Sequence, residues 1–77
     1  MKNQGFISQI IGPVIDVVFL ETLPSILEAL YIELDKNNRL ILEVQQHLGA
    51  QEVRCVALGA TDGITRGTPV ISTGKPI

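Results

Sequence analysis

The sequence predicts an all-β protein, a small closed six-stranded antiparallel β-barrel. The 77 residues suffice for a single small core, and the apolar residues are mostly Ile, Val and Leu. Branched side chains favour strands because they lose little freedom on a pleated surface. Six short apolar runs are separated by turn signals, a spacing that is typical of a small all-β barrel or sandwich. The barrel is preferred because closure would remove the exposed edges of so small a sheet.

The six runs are the predicted strands, and together they form one domain spanning residues 1–77. Their approximate bounds are residues 5–11, 14–19, 29–34, 40–48, 52–58 and 69–72. Gly12-Pro13 separates the first two runs and argues against a helix, since proline lacks an amide donor. The first run contains two equally apolar alternating sets, namely Phe6, Ser8 and Ile10, and Ile7, Gln9 and Ile11. The sequence therefore does not assign the inner face of this first run.

Period-two alternation assigns the faces of the next four runs. The inward side chains are Ile15, Val17 and Phe19, then Leu30, Ile32 and Leu34, then Leu40, Leu42 and Val44, and finally Val53, Cys55 and Ala57. The outward ones are Val14, Asp16 and Val18, then Tyr31 and Glu33, then Arg39, Ile41, Glu43 and Gln45, and finally Glu52, Arg54, Val56 and Leu58. The barrel interior is predicted to hold Ile15, Val17, Leu30, Ile32, Leu40, Leu42, Val44, Val53 and Cys55.

The connections carry turn chemistry. Ser25 and Glu28 have capping-box spacing, which allows one short helical turn at most. Residues 35–38 form a polar hairpin turn, in which asparagine tolerates the left-handed conformation. Residues 59–68, rich in Gly, Thr and Asp, are predicted to cross one end of the barrel.

Charge and composition exclude several classes of function. The formal net charge of -2 provides no basic field for a nucleic-acid backbone. The longest apolar run is interrupted by Asp16, so no membrane span is expected. The alternative function is a free-standing barrel that binds oligonucleotides or sugars. Such a module needs basic residues and stacking aromatics on one face, and the chain offers only Phe6, Phe19 and Tyr31 as aromatics.

Isolated polar residues do not assemble into a catalytic or metal site. His47 has no second histidine to join it around a metal, and it is interpreted as a turn residue. Asp16 could be a perturbed active-site carboxylate, but alternation favours a solvated or salt-bridged residue on the outer face. Asp62-Gly63 is a common turn dipeptide. Cys55 lies within an apolar run and is interpreted as an inert buried thiol.

The segment from Gly67 to Lys75 superficially resembles a phosphate-binding loop. Six residues separate its glycines where the motif has four, and Pro76 stands where the magnesium-binding Ser or Thr is required. We therefore expect no catalytic, cofactor-binding or metal-binding residues in this chain, and no binding of ATP.

Two sequence blocks carry a specific family resemblance. Residues 5–19, GFISQIIGPVIDVVF, and residues 42–77, LEVQQHLGAQEVRCVALGATDGITRGTPVISTGKPI, resemble the opening of F-type ATP synthase β subunits in order and spacing. The blocks cover about two-thirds of the chain. The pair GPVIDV and TDG-x-x-RG is more similar to β than to α subunits. Phe6, where a basic residue is common, and Cys55, where a small aliphatic residue is common, depart mildly from the pattern.

The resemblance implies a structural role in assembly. In that family the six-stranded N-terminal barrel packs beside the barrels of neighbouring α and β subunits, as a crown on the hexamer of a proton-driven ATP synthase. The chain would then end where the nucleotide-binding domain starts, so the ATP, ADP and magnesium sites of the parent subunit would lie beyond Ile77. The expected location is peripheral, on the soluble side of an energy-transducing membrane, whether the bacterial cytoplasmic face, the chloroplast stroma or the mitochondrial matrix.

Outward apolar residues are the candidate subunit interface. Single surface apolar residues are ordinary, but several on strands of so small a domain point to a partner. The candidates are Val14, Val18, Ile41, Val56 and Leu58.

Overall fold

The computed structural model describes residues 3–77, which contain six β-strands and no helix. The strands are β1 (Gln4–Ile11), β2 (Val14–Phe19), β3 (Glu28–Asp35), β4 (Asn38–His47), β5 (Glu52–Ala57) and β6 (Pro69–Pro76). Five of these bounds lie close to the predicted runs. The sixth strand is longer than predicted, because it continues past Ser72 to Pro76.

The strands pair in the order β1-β2-β5-β4-β3-β6, and β6 pairs with β1 to close the barrel. All six pairings are antiparallel. The predicted fold class is therefore confirmed. Short turns join β1 to β2, β3 to β4 and β4 to β5, whereas residues 20–27 and 58–68 are the longer connections.

The barrel interior contains every residue predicted to be there. All nine are less than 5% exposed, and Ile7, Phe19, Ala57 and Val70 complete the cluster with them. Residues Leu23 and Ile64 from the two long connections pack against this cluster. The connections therefore cover the barrel, as predicted for residues 59–68.

A bulge in β1 explains why its inner face could not be assigned. The register with β2 shifts between Ile7 and Gln9, so Ser8 is an additional residue that reverses the alternation. Before the bulge Ile7 is buried, and after it Ile10 packs against the core. Each of the two competing sets therefore contributes one isoleucine to the interior.

The inward assignment of Leu34 is wrong. The register of β3 with β4 shifts between Glu33 and Asp35, and Leu34 at this irregularity is 49% exposed. The turn that follows is stabilised by Asp35, whose Oδ1 accepts hydrogen bonds from the amides of Asn37 (3.0 Å) and Asn38 (3.1 Å). Hydrogen bonding, chiefly from the Asn38 side chain, lowers the pKa of Asp35.

Tyr31 lies on the outward side of β3 but is buried. Its strand neighbours Leu30 and Ile32 point into the core, whereas Tyr31 pairs with Ile41 of β4 and Ile71 of β6. The Arg39 guanidinium lies 4.0 Å from the centroid of its ring. A cation and neighbouring strands thus cover an aromatic ring that alternation alone assigns to solvent.

Ser25 and Glu28 form half of the predicted capping box, the contact of the glutamate side chain with the serine amide, and they do so without a helix. Glu28 Oε1 accepts a hydrogen bond from the Ser25 amide (3.1 Å), and the Glu28 amide donates to the Ser25 carbonyl (3.0 Å). The two residues close a turn, in which Leu27 has a φ of 71°. Glu28 then begins β3, so the backbone turns directly into a strand.

We expect Gly5→Ala to destabilise the barrel by about 1–3 kcal/mol, the usual cost of overpacking. A Cβ at Gly5 would lie 2.6 Å from the Val18 carbonyl oxygen, a backbone atom that cannot rotate away. Urea unfolding of the two proteins measures the difference. Gly59→Ala is the matched control, because its Cβ would meet only the end of the flexible Leu40 side chain, at 3.1 Å. Equal stability of the two variants would contradict this prediction.

Candidate functional site

The five candidate interface residues all lie on the outside of the barrel. Leu58 is 54% exposed, whereas Val14, Val18, Ile41 and Val56 are half-buried. Leu58 follows the last residue of β5, and the other four lie within strands. The structure therefore places them where a partner could reach them, and their role in an interface stays a prediction.

Four of the five are brought together on adjacent strands. Val14 of β2 pairs directly with Val56 of β5. Leu58 lies two residues beyond Val56, and its amide donates to the Ile41 carbonyl of β4 (2.9 Å). We call these four residues, Val14, Val56, Leu58 and Ile41, the apolar strip. It crosses three adjacent strands.

Val18 lies apart from the apolar strip, at the other end of β2. Its neighbours are Phe6 of β1 and Glu52 of β5. Phe6 is 41% exposed, and together with Val18 it forms a second, smaller apolar patch, the Val18 patch.

At the other end of β1, Ile11 pairs with Val14 and is 60% exposed, so it extends the apolar strip. Sequence reasoning missed Phe6 and Ile11 because the faces of β1 could not be assigned.

An ion pair separates the apolar strip from the Val18 patch. Asp16 and Arg54 are cross-strand partners, and their side chains meet in two contacts, Nε to Oδ1 at 2.9 Å and Nη2 to Oδ2 at 3.0 Å. The Asp16 side chain is only 5% exposed, whereas that of Arg54 is 40% exposed. The hydrogen bond and the charge of Asp16 raise the pKa of Arg54. Of the interpretations of Asp16, the salt-bridged one is confirmed.

The bulge residue Ser8 connects this ion pair to a second carboxylate. Its hydroxyl lies 2.6 Å from Glu52 Oε2 and 3.2 Å from the Asp16 carbonyl oxygen. Gln9 reaches the other side of the pair, with Nε2 at 3.5 Å from Asp16 Oδ2. The polar groups on this face thus bind one another in a fixed arrangement, which limits how they can reorient towards a partner.

Cys55 lies in the barrel interior and is fully buried. Burial, and to a smaller extent the nearby charge of Asp16, raises the pKa of its thiol to about 12. A thiol with this pKa carries almost no thiolate at neutral pH, and the thiolate is the reactive form. The interpretation of Cys55 as a buried residue is confirmed, and its raised pKa agrees with an unreactive thiol.

The interpretation of His47 as a turn residue is wrong, because His47 is the last residue of β4. It pairs with Val53, and its Nε2 lies 2.6 Å from the Pro24 carbonyl oxygen. The ring therefore holds the connection between β2 and β3 against the end of β4. Within residues 3–77, no three His, Cys, Asp or Glu side chains converge as they would around a metal ion.

The two sequence features that suggested loop chemistry have structural roles. Around Asp62-Gly63, the Ile64 amide donates to the Thr61 carbonyl (3.3 Å) and closes a turn, as predicted. Lys75 lies within β6, whereas the lysine of a phosphate-binding loop starts a helix.

No helix of the described part of the chain is long and apolar enough to span a bilayer.

We expect Cys55 to resist alkylation by iodoacetamide at pH 9 in the native protein and to react readily in urea. The thiol pKa is about 12 in the fold against 9.0 in the reference state, so only the unfolded chain forms thiolate at this pH. The unfolded state then loses a proton that the native state keeps. By linkage, this group's contribution to stability is fully present below pH 9 and is lost as the pH rises towards 12. Mass spectrometry that finds rapid labelling of the folded protein would contradict the burial of this thiol.

The family comparison agrees with the fold. The family model described as "ATP synthase alpha/beta family, beta-barrel domain" matches residues 7–74. The match includes the bulge in β1, the apolar strip, the Asp16–Arg54 pair and most of β6. It does not distinguish α from β subunits. Because the match covers nearly the whole chain, this chain belongs to the ATP synthase alpha/beta family, as its β-barrel domain.

Proposed function

We propose that this barrel is the structural assembly domain of the catalytic β subunit of an F-type ATP synthase. In this role it packs against the barrels of neighbouring α and β subunits and helps form the crown of the hexamer. Membership of the family supports the general role. Assignment to β is supported by the resemblance of residues 12–17, GPVIDV, and residues 61–67, TDGITRG, to that subunit.

The apolar strip is the observation that carries this proposal. Closure of the sheet leaves no unpaired strand to bind another chain through its backbone, so association depends on side chains. Val14, Val56, Ile41 and Leu58 provide adjoining apolar side chains on the outside of three strands. Complete burial of such a side chain from full exposure contributes about 1.5–3 kcal/mol, and the half-buried residues of the strip contribute part of this to association.

The ion pair beside the apolar strip suits a specific interface. Asp16 is already satisfied by Arg54 before any partner arrives, so docking does not require a bare carboxylate to be dehydrated. Arg54 remains 40% exposed and uses two nitrogens for Asp16, which leaves further N–H donors for a neighbour. Arginine in this situation is common at the centres of interfaces.

The aromatic residues favour assembly over a nucleic-acid or sugar-binding function. Stacking requires aromatic faces that are open to a ligand. Phe19 is in the core at 1% exposure, and Tyr31 is 6% exposed beneath Arg39. Among the aromatic residues of the chain, Phe6 alone is substantially exposed.

Catalysis belongs, in this proposal, to other parts of the parent subunit. In this proposal, other domains of the parent subunit carry the nucleotide and magnesium sites, and this domain contributes position and contacts only. The assembled enzyme would couple ATP synthesis to proton flow, with this domain on the soluble side of the membrane.

We expect Val56→Lys, placed in a full-length subunit, to weaken hexamer assembly by about 1.5–3 kcal/mol per interface. A lysine there would project a charge into the proposed contact while leaving the barrel interior unchanged. Val18→Lys tests the second patch in the same way. Analytical ultracentrifugation measures assembly, and thermal unfolding of the 77-residue chain measures folding.

Glu33→Lys is the control for these variants, because Glu33 is an exposed residue on the outward side of β3 and outside both apolar patches. If Val56→Lys and Val18→Lys assemble like the control, the residues face only water. If they prevent folding of the chain itself, the faces have been assigned incorrectly.

We expect the 77-residue chain to show no saturable binding of ATP and magnesium by calorimetry. The Gly67 to Lys75 segment has neither the required glycine spacing nor the magnesium-binding hydroxyl. The expected result is that each injection of ATP and magnesium gives only the heat of dilution. Micromolar binding would mean that a nucleotide site begins within this chain.

A further inference from the structure

The last part of β6 is attached to the barrel in an unusual way. The ladder between β3 and β6 is regular at Leu30↔Ser72 and resumes at Glu28↔Pro76. Between these pairs, residues 73–75 of β6 stand opposite Ala29 alone. The backbone of this segment therefore cannot continue the regular pattern of interstrand hydrogen bonds.

Two side chains replace the missing ladder bonds. Glu28 Oε2 accepts a hydrogen bond from the Gly74 amide (3.2 Å) and another from the Ser72 hydroxyl. Thr73 Oγ1 lies 2.6 Å from the Ala29 carbonyl oxygen, and the Lys75 amide donates to the same hydroxyl (3.3 Å). Between the ladder pairs Leu30↔Ser72 and Glu28↔Pro76, the segment is thus held to β3 by one carboxylate and one hydroxyl.

The other edge of β6 gives this segment little support. Among residues 3–77, the pairing of β6 with β1 ends at Gln4↔Ile71, followed by one bond from the Ser72 amide to the Asn3 carbonyl (2.9 Å). Within residues 3–77, the strand beyond Ser72 is therefore attached to β3 only. In this part of the chain, residues 73–76 can leave the barrel without breaking the β1–β6 contacts that close it.

Glu28 is itself firmly positioned. Its side chain is buried, and its second oxygen, Oε1, accepts the bond from the Ser25 amide (3.1 Å). The same residue closes the turn that precedes β3 through its own amide. A single carboxylate thus connects the start of β3, the preceding turn and the end of β6.

Gly74 lies where the segment departs from regular strand geometry. Its φ is +79°, a conformation that side-chain-bearing residues rarely adopt, and a Cβ there would meet nothing within 4 Å. The need for glycine is thus conformational and not steric.

We propose that Glu28 is a latch that holds residues 73–76 against the barrel, with Gly74 as the hinge at which they move when the latch opens. The opening is local: it breaks the side-chain bonds of Glu28 and Thr73 and the ladder pair Glu28↔Pro76, and it leaves the core cluster intact. If the proposed function is correct, the next domain follows this segment. The latch then sets how rigidly that domain is attached to the barrel. This consequence rests on the proposed function, whereas the latch itself does not.

Amide hydrogen exchange of this chain, measured residue by residue by NMR, tests the latch. In Glu28→Ala we expect the protection of Gly74 and of Lys75 to fall about tenfold or more, as for the loss of a hydrogen bond to a charged group. Lys75 is the informative residue, because its amide donates to Thr73 and not to Glu28. The amides of β5 in the barrel wall should keep their protection.

The control is Glu33→Ala, which removes an exposed glutamate from the same strand and should leave both amides unchanged. Loss of protection at Gly74 alone in Glu28→Ala would show that Glu28 is one acceptor and not a latch. Loss of protection throughout the barrel would show that Glu28 supports the whole fold and would equally overturn the proposal.

Gly74→Ala tests the hinge separately with the carboxylate intact. Because alanine disfavours a φ of +79°, this variant should lower the protection of Lys75 as Glu28→Ala does. Unchanged protection of Lys75 would show that the segment does not turn at Gly74. None of these measurements involves another subunit, so they stand or fall independently of hexamer assembly.

Discussion

Closure of the strand ladder is the constraint on which the rest of this structure depends. Every strand has a neighbour on both sides, because β6 pairs with β1. Most backbone donors and acceptors of the strands are therefore hydrogen-bonded to neighbouring strands, and contact with other molecules depends on side chains. Alternation along each strand sends one set of side chains into the small interior, so apolar residues at the intervening positions lie on the outside.

Closure also explains the irregular positions. Strands of a barrel must curve and stagger, and bulges supply the extra bend. Register shifts occur in β1 beside Ser8, in β3 beside Leu34, in β4 beside Gln45 and between β3 and β6 beside Ala29. Three of them have a clear consequence: Ser8 reaches Glu52, Leu34 becomes exposed, and Glu28 takes over bonds that the backbone cannot make.

The outside of the barrel combines apolar and charged groups in a way that suits a protein interface. Val14 and Val56 lie beside the Asp16–Arg54 pair on the same two strands. The pair is complete within the domain, so the face can meet a partner without leaving a buried charge unpaired. Below this face, Cys55 is an inert part of the core, and the same Asp16 charge helps to keep its thiol protonated.

Much of this architecture follows from the sequence alone, because alternation and turn residues are local signals. They identified six strands, the all-β class, nine residues of the barrel interior and the outward position of the five interface candidates, and they failed at Leu34, beside a register shift. Local signals cannot show which distant strands become neighbours. The burial of Asp16 depends on Arg54, 38 residues away, and the attachment of Gly74 depends on Glu28, 46 residues away. The meeting of Val14, Val56 and Ile41 likewise exists only in the folded barrel, because the strand order β2-β5-β4 decides which outward side chains share a face.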